Sequence, residues 1–157
     1  MILRDALQAI PKDSFDIVLL DNPPSLDLMA VNAYVAATDI LIPVQCEAYA
    51  LNGLSSLLED IKRVTKRLNP ALSLLAVLPT MYDGRKKLSQ DVLQALRDGF
   101  PGKVCTSVIR DSVALAEAPS HGHSIFQHDP KGYGAQDYAA LGLEICERIE
   151  QEVTHGA

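Results

Sequence analysis

Asp21 is the residue best placed to do chemistry. It ends the apolar run Phe15-Asp-Ile-Val-Leu-Leu and is followed at once by Asn22-Pro-Pro-Ser25. The run predicts a buried parallel strand over Phe15 to Leu20, apolar on both faces. Asp21 would then stand at the carboxyl end of that strand, where open α/β sheets place their ligand crevice. Pro23 and Pro24 stiffen the exit, so backbone fixes the direction of the carboxylate. This is the layout of a Walker-B-type aspartate, which holds Mg²⁺ through water beside a nucleotide phosphate. The plainer alternative is a solvated aspartate before a turn.

Three further constellations compete for a role. Gln45-Cys46-Glu47 ends the next apolar run, near the same crevice, and is read as a strand exit and contact surface rather than a water-orienting pair. His121, His123 and His128 lie close together, but no Cys or carboxylate completes a recognisable metal-ligand spacing. No G-x-S-x-G elbow supports a serine hydrolase. Basic residues cluster twice, as Lys62, Arg63, Lys66 and Arg67 on one helix and as Arg85, Lys86 and Lys87 in a loop. Any contact with nucleic acid must come from such a local patch, because the net charge is −6.

The elements that must position these residues alternate between strand-like runs and helical periodicity, as in a parallel sheet covered by helices. Helices are predicted over Leu3 to Ile10, Asp27 to Ala36, Leu51 to Leu68, Leu88 to Phe100, Ser112 to Ala118 and Gly134 to Val153. Asp27 is read as structural, favouring the helix dipole. Strands are predicted over Asp39 to Gln45, Leu72 to Leu78 and Val104 to Ile109. Pro119 to Tyr133 is the one long irregular region.

A chain of 157 residues with 48% hydrophobic and 22% charged content suits a single globular domain over residues 1–157. No apolar run approaches the roughly 18 residues a bilayer span requires, so a cytoplasmic protein without membrane contact is expected. Cys46, Cys105 and Cys146 are scattered and predict reduced thiols rather than disulfides or a metal site.

Four blocks in order carry a more specific message: Asp21-Asn-Pro-Pro-Ser-Leu26, Pro43-Val-Gln-Cys-Glu-Ala-Tyr-Ala-Leu-Asn-Gly-Leu54, Pro79-Thr-Met-Tyr-Asp-Gly-Arg85 and Leu115-Ala-Glu-Ala-Pro-Ser-His-Gly122. Together, over roughly residues 12–150, they resemble the ParA/Soj family of partition ATPases, a deviant-Walker branch of the P-loop fold. The resemblance implies a P-loop NTPase-like α/β fold: a mostly parallel sheet with helices on both faces. It implies ATP and Mg²⁺ as cofactors of the intact protein, with Asp21 as the catalytic, Mg²⁺-associated residue acting through water. Pro23, Pro24 and Ser25 would form the moving switch turn, with Asn22 where relatives often carry Cys or Thr. Thr80, Met81 and Arg110 would border the adenine base. A homodimer, a ParB-like protein partner and non-specific DNA are implied as well, with nucleoid association if DNA binding is retained.

Departures matter as much. No G-x-x-x-x-G-K-[ST] occurs in the chain, although the family's phosphate loop should precede the Asp21 strand. The chain is therefore expected to be the carboxyl-terminal portion of such an ATPase, without its amino-terminal strand and P-loop, and not to hydrolyse ATP unaided. Many relatives read I-P-R-N-V-R-L where this chain reads Ile109-Arg-Asp-Ser-Val-Ala-Leu115. Two family arginines associated with DNA thus become Asp111 and Ala114, which leaves Arg85, Lys86 and Lys87 as the DNA-binding candidates. The competing expectation is a non-catalytic interaction module that pairs with a full-length relative or a ParB-like partner.

Overall fold

The computed structural model describes residues 2–11, 13–23 and 27–155, with the side chains of residues 152–155 excepted. Helices α1 (Ile2–Gln8) and α2 (Leu28–Ala36) precede strand β1 (Asp39–Gln45) and helix α3 (Ala50–Arg67). Strand β2 (Ser73–Thr80) and helix α4 (Lys87–Gly99) follow, then α5 (Val113–Glu117), a 3₁₀ turn over Ala118–His121, α6 (Ile125–His128) and α7 (Tyr133–His155). The fold is α/β, a parallel sheet flanked by helices.

β1 and β2 pair in parallel. The Ser73 N–H donates to the Thr38 carbonyl and, further along both strands, the Cys46 N–H donates to the Thr80 carbonyl. β2 is the interior strand, buried from Leu75 to Pro79. Its other edge takes the segment 103–110 through parallel bridges at Val77 to Val104 and Tyr82 to Arg110.

That segment is not the continuous strand predicted over Val104 to Ile109. The Cys105 N–H pairs with the Val77 carbonyl, yet the next ladder bond comes from the Ile109 N–H to the Pro79 carbonyl. Four residue steps therefore stand against two, and residues 106–108 bulge from the ladder. The carboxylate of Glu144 on α7 takes the displaced Thr106 and Ser107 N–H groups, each at 2.8 Å. A bulge of this kind needs an outside acceptor for its orphaned donors.

The chain divides into two compact units, residues 1–40 with 54–74, and residues 41–53 with 75–157. In the first, α1 packs on α2. Asp27 caps α2, its Oδ1 accepting from the Met29 and Ala30 N–H groups, so it satisfies orphan donors as well as the dipole. Asn69, just past α3, donates to the Tyr34 and Ala37 carbonyls at 2.9 and 2.8 Å and ties the two helix ends together. Leu54, Ile61 and Val64 form the buried stripe of α3, spaced as an amphipathic helix requires.

The strand predicted over Phe15 to Leu20 does not form. The segment is irregular and its apolar side chains face outward, with Phe15 66% and Leu19 87% exposed. A strand apolar on both faces is stable only with a backbone neighbour and cover on each face. Among the described residues β1 has β2 as its one strand neighbour, and nothing pairs with residues 15–20.

In the second unit, Leu75, Ala76 and Leu78 of β2 pack with Cys105, Ile109 and Leu141 of α7. Leu115, Ile145 and Ile149 close over this core. The region Pro119 to Tyr133 is more ordered than its composition suggests. It holds the 3₁₀ turn and α6, the latter started by a reciprocal Ser124–Gln127 capping box. Gly134 at the start of α7 is sterically required: a Cβ there would stand 2.9 Å from Leu115 Cγ and 3.2 Å from Ile125 Cγ1. Among the described residues no helix is long and apolar enough to cross a membrane.

Candidate nucleotide-side site

The carboxyl end of β2 gathers most of the residues singled out by the sequence. Met81 leaves the strand with φ 52°, in the left-handed region that side chains rarely adopt. The turn is held from both sides. The Tyr82 N–H donates to the Ile109 carbonyl and the Asp111 N–H to the Tyr82 carbonyl, both at 3.1 Å. Thr80, Met81 and Arg110 are thereby brought side by side in backbone terms, and Met81 remains partly exposed.

The Arg110 side chain is committed elsewhere. Its Nε lies 2.9 Å from Asp137 Oδ2, and its backbone N–H donates to the same oxygen at 3.0 Å. Its guanidinium carbon sits 4.2 Å from the centroid of the Tyr133 ring. The Asp137 hydrogen bonds hold the guanidinium protonated more firmly than usual. Asp137 is buried, and Arg110 is its one recorded ion-pair partner among the described residues. Sequence reasoning missed Asp137 and Tyr133. They lie on α7, 27 and 23 positions beyond Arg110, and neither belongs to a quoted motif.

Below this turn, Asp83 collects charge. Its Oδ1 accepts from Arg85 Nε at 2.9 Å and from the Arg85 backbone N–H at 3.0 Å. Lys86 Nζ lies 3.8 Å from Oδ2. The Arg85 side-chain and backbone hydrogen bonds hold the Asp83 carboxyl down to about 2. Lys87 pairs with Asp91 at 2.8 Å, and Asp111 adds to the field at Arg85. The basic run read as a DNA candidate is thus an interleaved set of ion pairs.

At the end of β1, Gln45 is exposed and Cys46 is buried, and burial pushes the Cys46 thiol up. The buried Ser89 hydroxyl donates to the Cys46 carbonyl at 3.2 Å, fixing α4 to the strand exit. Glu47 folds back by donating its N–H to the Gln45 carbonyl, and Tyr49 follows at φ 72° with its ring exposed. Two left-handed non-glycine residues at strand exits mark where backbone strain is held.

Asp21 belongs to the other compact unit. It is exposed and follows the irregular segment, so no strand aims its carboxylate. Asn22 donates to the Leu20 carbonyl at 2.8 Å, a local turn contact. Pro23 is exposed, while Pro24 and Ser25 lie outside the described residues. Asp21 alone can offer one oxygen to a hydrated Mg²⁺, with the remaining ligands coming from water and phosphate. Among the described residues no group of three His, Cys, Asp or Glu side chains is arranged to hold a metal. The histidines stack instead: His121 and His128 have ring centroids 5.1 Å apart, and His128 Nε2 lies 3.8 Å from Glu117.

Comparison with known proteins fits this arrangement. A family model described as an AAA domain matches residues 1–74. The chromosome-partitioning ATPase Soj of Thermus thermophilus is 46% identical over 149 residues, covering 95% of this chain and 59% of that protein. The chromosome partitioning protein ParA of Caulobacter vibrioides is 44% identical over 147 residues, covering 93% of this chain and 55% of the relative. The chain thus spans between half and three fifths of the length of these relatives. Among solved structures, a cobyrinic acid a,c-diamide synthase from Mycobacterium smegmatis with bound ADP and magnesium superposes with a TM-score of 0.72 at 31% identity. That match covers 99% of this chain and 54% of the synthase. With four motif blocks in one order and this degree of identity along nearly its whole length, the chain is similar to the partitioning proteins named Soj and ParA.

Proposed function

We propose that this chain supplies the switch and base-side portion of a ParA-like ATPase that partitions DNA, acting in the intact protein as an ATP- and Mg²⁺-dependent dimer. The observation that carries the reading is the 46% identity to a chromosome-partitioning ATPase across 95% of the chain. In this reading Asp21 would hold Mg²⁺ through water beside the nucleotide phosphates. Pro23, Pro24 and Ser25 form the turn that responds to the γ-phosphate. Bound Mg²⁺ would neutralise charge on the transferring phosphoryl group.

Thr80 and Met81 border the base through backbone and the Met81 side chain. Arg110 acts by holding the wall upright, its guanidinium being occupied by Asp137 and Tyr133. The protein partner is a ParB-like stimulator of turnover. Localisation follows the DNA.

The test joins the part of the Thermus ATPase that this chain does not span ahead of the Asp21 segment, with Asp21→Ala as control. ATP turnover by the chimera that Asp21→Ala abolishes supports the proposal. A folded chimera without turnover, or turnover indifferent to Asp21, overturns it. The chain by itself is expected to show no turnover above a heat-killed control, since no phosphate loop of the G-K-[ST] type is present in it.

A second reading, a non-catalytic module that pairs with a full-length relative, draws on the exposed Phe15–Leu19 run. Its mark would be a stable complex with such a relative in the absence of nucleotide.

A further inference from the structure

Strand β1 and the irregular segment ahead of it each lack what the other has. Along β1 the Thr38 carbonyl and the Cys46 N–H both reach β2. Backbone groups of alternate residues face alternate edges of a strand. The even-numbered residues therefore serve β2, and Leu41, Pro43 and Gln45 turn their backbone groups to the other edge. Among the described residues no strand pairs with that edge. The side chains of these three residues are exposed, whereas those of Ile40, Ile42 and Val44 are buried. Pro43 suits the position, since an edge strand tolerates proline where the missing N–H would face outward. Leu41 and Gln45 keep outward donors, and the Leu41 and Pro43 carbonyls are outward acceptors.

The run Phe15–Leu19 presents the converse lack. Its composition favours a strand, with Phe15, Ile17 and Val18 among the strand formers. It lies outside every helix and strand, and among the described residues its backbone has no backbone hydrogen-bond partner. Its five residues match in length the five from Leu41 to Gln45. When extended, the run puts Phe15, Ile17 and Leu19 on one face, a row with the same two-residue period as the exposed Leu41 and Pro43. A single copy of the chain leaves both needs unmet.

We propose that two copies of this chain exchange these segments, the Phe15–Leu19 run of each copy pairing with the open edge of β1 in the other. The exchange is reciprocal, so both seams form together and the assembly closes at two copies. Each seam adds one strand beside β1, satisfies outward donors and acceptors, and removes an apolar row from water. A second copy fits better than an unrelated partner, because it carries in equal number the run that the edge lacks and the edge that the run lacks. No nucleotide takes part, so the assembly stands apart from the ATPase reading.

The experiment is sedimentation velocity of the full chain over a range of concentrations, without nucleotide. The wild type should sediment as a concentration-dependent dimer. Leu41→Pro removes an outward N–H and leaves the ladder to β2 intact. Ile17→Pro removes a donor from the run, where no described backbone bond is lost. Each variant alone should be monomeric. Mixed, the two should form a heterodimer weaker than the wild-type dimer, because the intact run of one meets the intact edge of the other through one seam. Leu41→Ala, which keeps the N–H, should remain dimeric.

Should Leu41→Pro fail to fold by circular dichroism, Gln45→Pro removes another donor of the same edge and takes its place. A wild type that stays monomeric overturns the proposal, including where a full-length relative binds the run instead. A dimer that survives Leu41→Pro places the contact between two runs, and one that survives Ile17→Pro places it between two β1 edges. Either result overturns the exchange. So does growth beyond two copies, or a mixture of the two variants that stays monomeric at the highest concentration.

Discussion

The Arg110 side chain is held by one carboxylate and one aromatic ring of α7. Asp137 satisfies its guanidinium and its backbone N–H together, and Tyr133 covers one face. Replacing the carboxylate by an amide leaves one acceptor oxygen where two now serve the Arg110 guanidinium and backbone N–H, and sets an N–H donor against the guanidinium. Asp137→Asn is therefore expected to lower unfolding free energy by about 1–3 kcal/mol, allowing for the partial exposure of Arg110. Tyr133→Leu should cost about 0.5–1 kcal/mol. Urea unfolding checks both, and Asp137→Asn combined with Arg110→Gln should cost less than the two single changes added.

Glu144 makes a parallel case with a pH signature. Burial would raise its carboxyl, but hydrogen bonds from Ser107, Thr106 and Arg148 outweigh it and hold the group below the usual carboxylate range. A depressed folded value adds stability that is complete above the ordinary carboxylate pKa and drains as pH falls through the folded one. The wild type should thus lose more stability than Glu144→Gln between about pH 5 and pH 3, as read by urea midpoints at each pH. Equal losses would mean the bulge does not depend on the ionised carboxylate.

At the scale of elements, β1 was legible to the residue, Asp39–Gln45, because its run is bounded by clear helix and turn signals. Helix α4 was displaced by a single residue at each end, and Asp27 was read correctly as structural. What could not be read is what depends on a neighbour. The Phe15–Leu20 run has strand composition, yet composition does not supply the hydrogen-bonding partner that a strand needs. The 106–108 bulge is invisible for a related reason: its acceptor lies on α7, 37 and 38 positions from the donors it serves.

The candidate site divides the same way. Motif blocks marked Thr80, Met81 and Arg110 as one locality, while the direction of the Arg110 side chain depended on residues outside any motif. Thiol burial follows from the same packing. Cys105 is fully buried, and burial first, with Glu144 adding, pushes its thiol up to about 11. Cys146 is exposed. Iodoacetamide at about pH 8 should label Cys146 and spare Cys46 and Cys105 until the chain is unfolded, as peptide mapping would show.

Over the whole molecule, a net charge of −6 favours solubility, while Phe15, Ile17, Val18 and Leu19 present apolar surface to water in a single run. Such a run with unpaired backbone is a template for association. Phe15→Ser with Leu19→Ser should reduce binding of a hydrophobic dye and shift sedimentation toward monomer, with little change in the urea midpoint of either unit's core. An unchanged sedimentation profile would place the sticky surface elsewhere.

The same run has a consequence inside a cell. Quality-control proteases and chaperones act on exposed apolar segments, and a chain that keeps one on show is cleared according to how often it is covered. The half-life of this protein should then rise with the dose of whatever chain covers that run, so that its abundance is set after synthesis by stoichiometry. Pulse-chase with and without a co-expressed full-length relative would measure that dependence, and Phe15→Ser with Leu19→Ser should make the half-life indifferent to the relative.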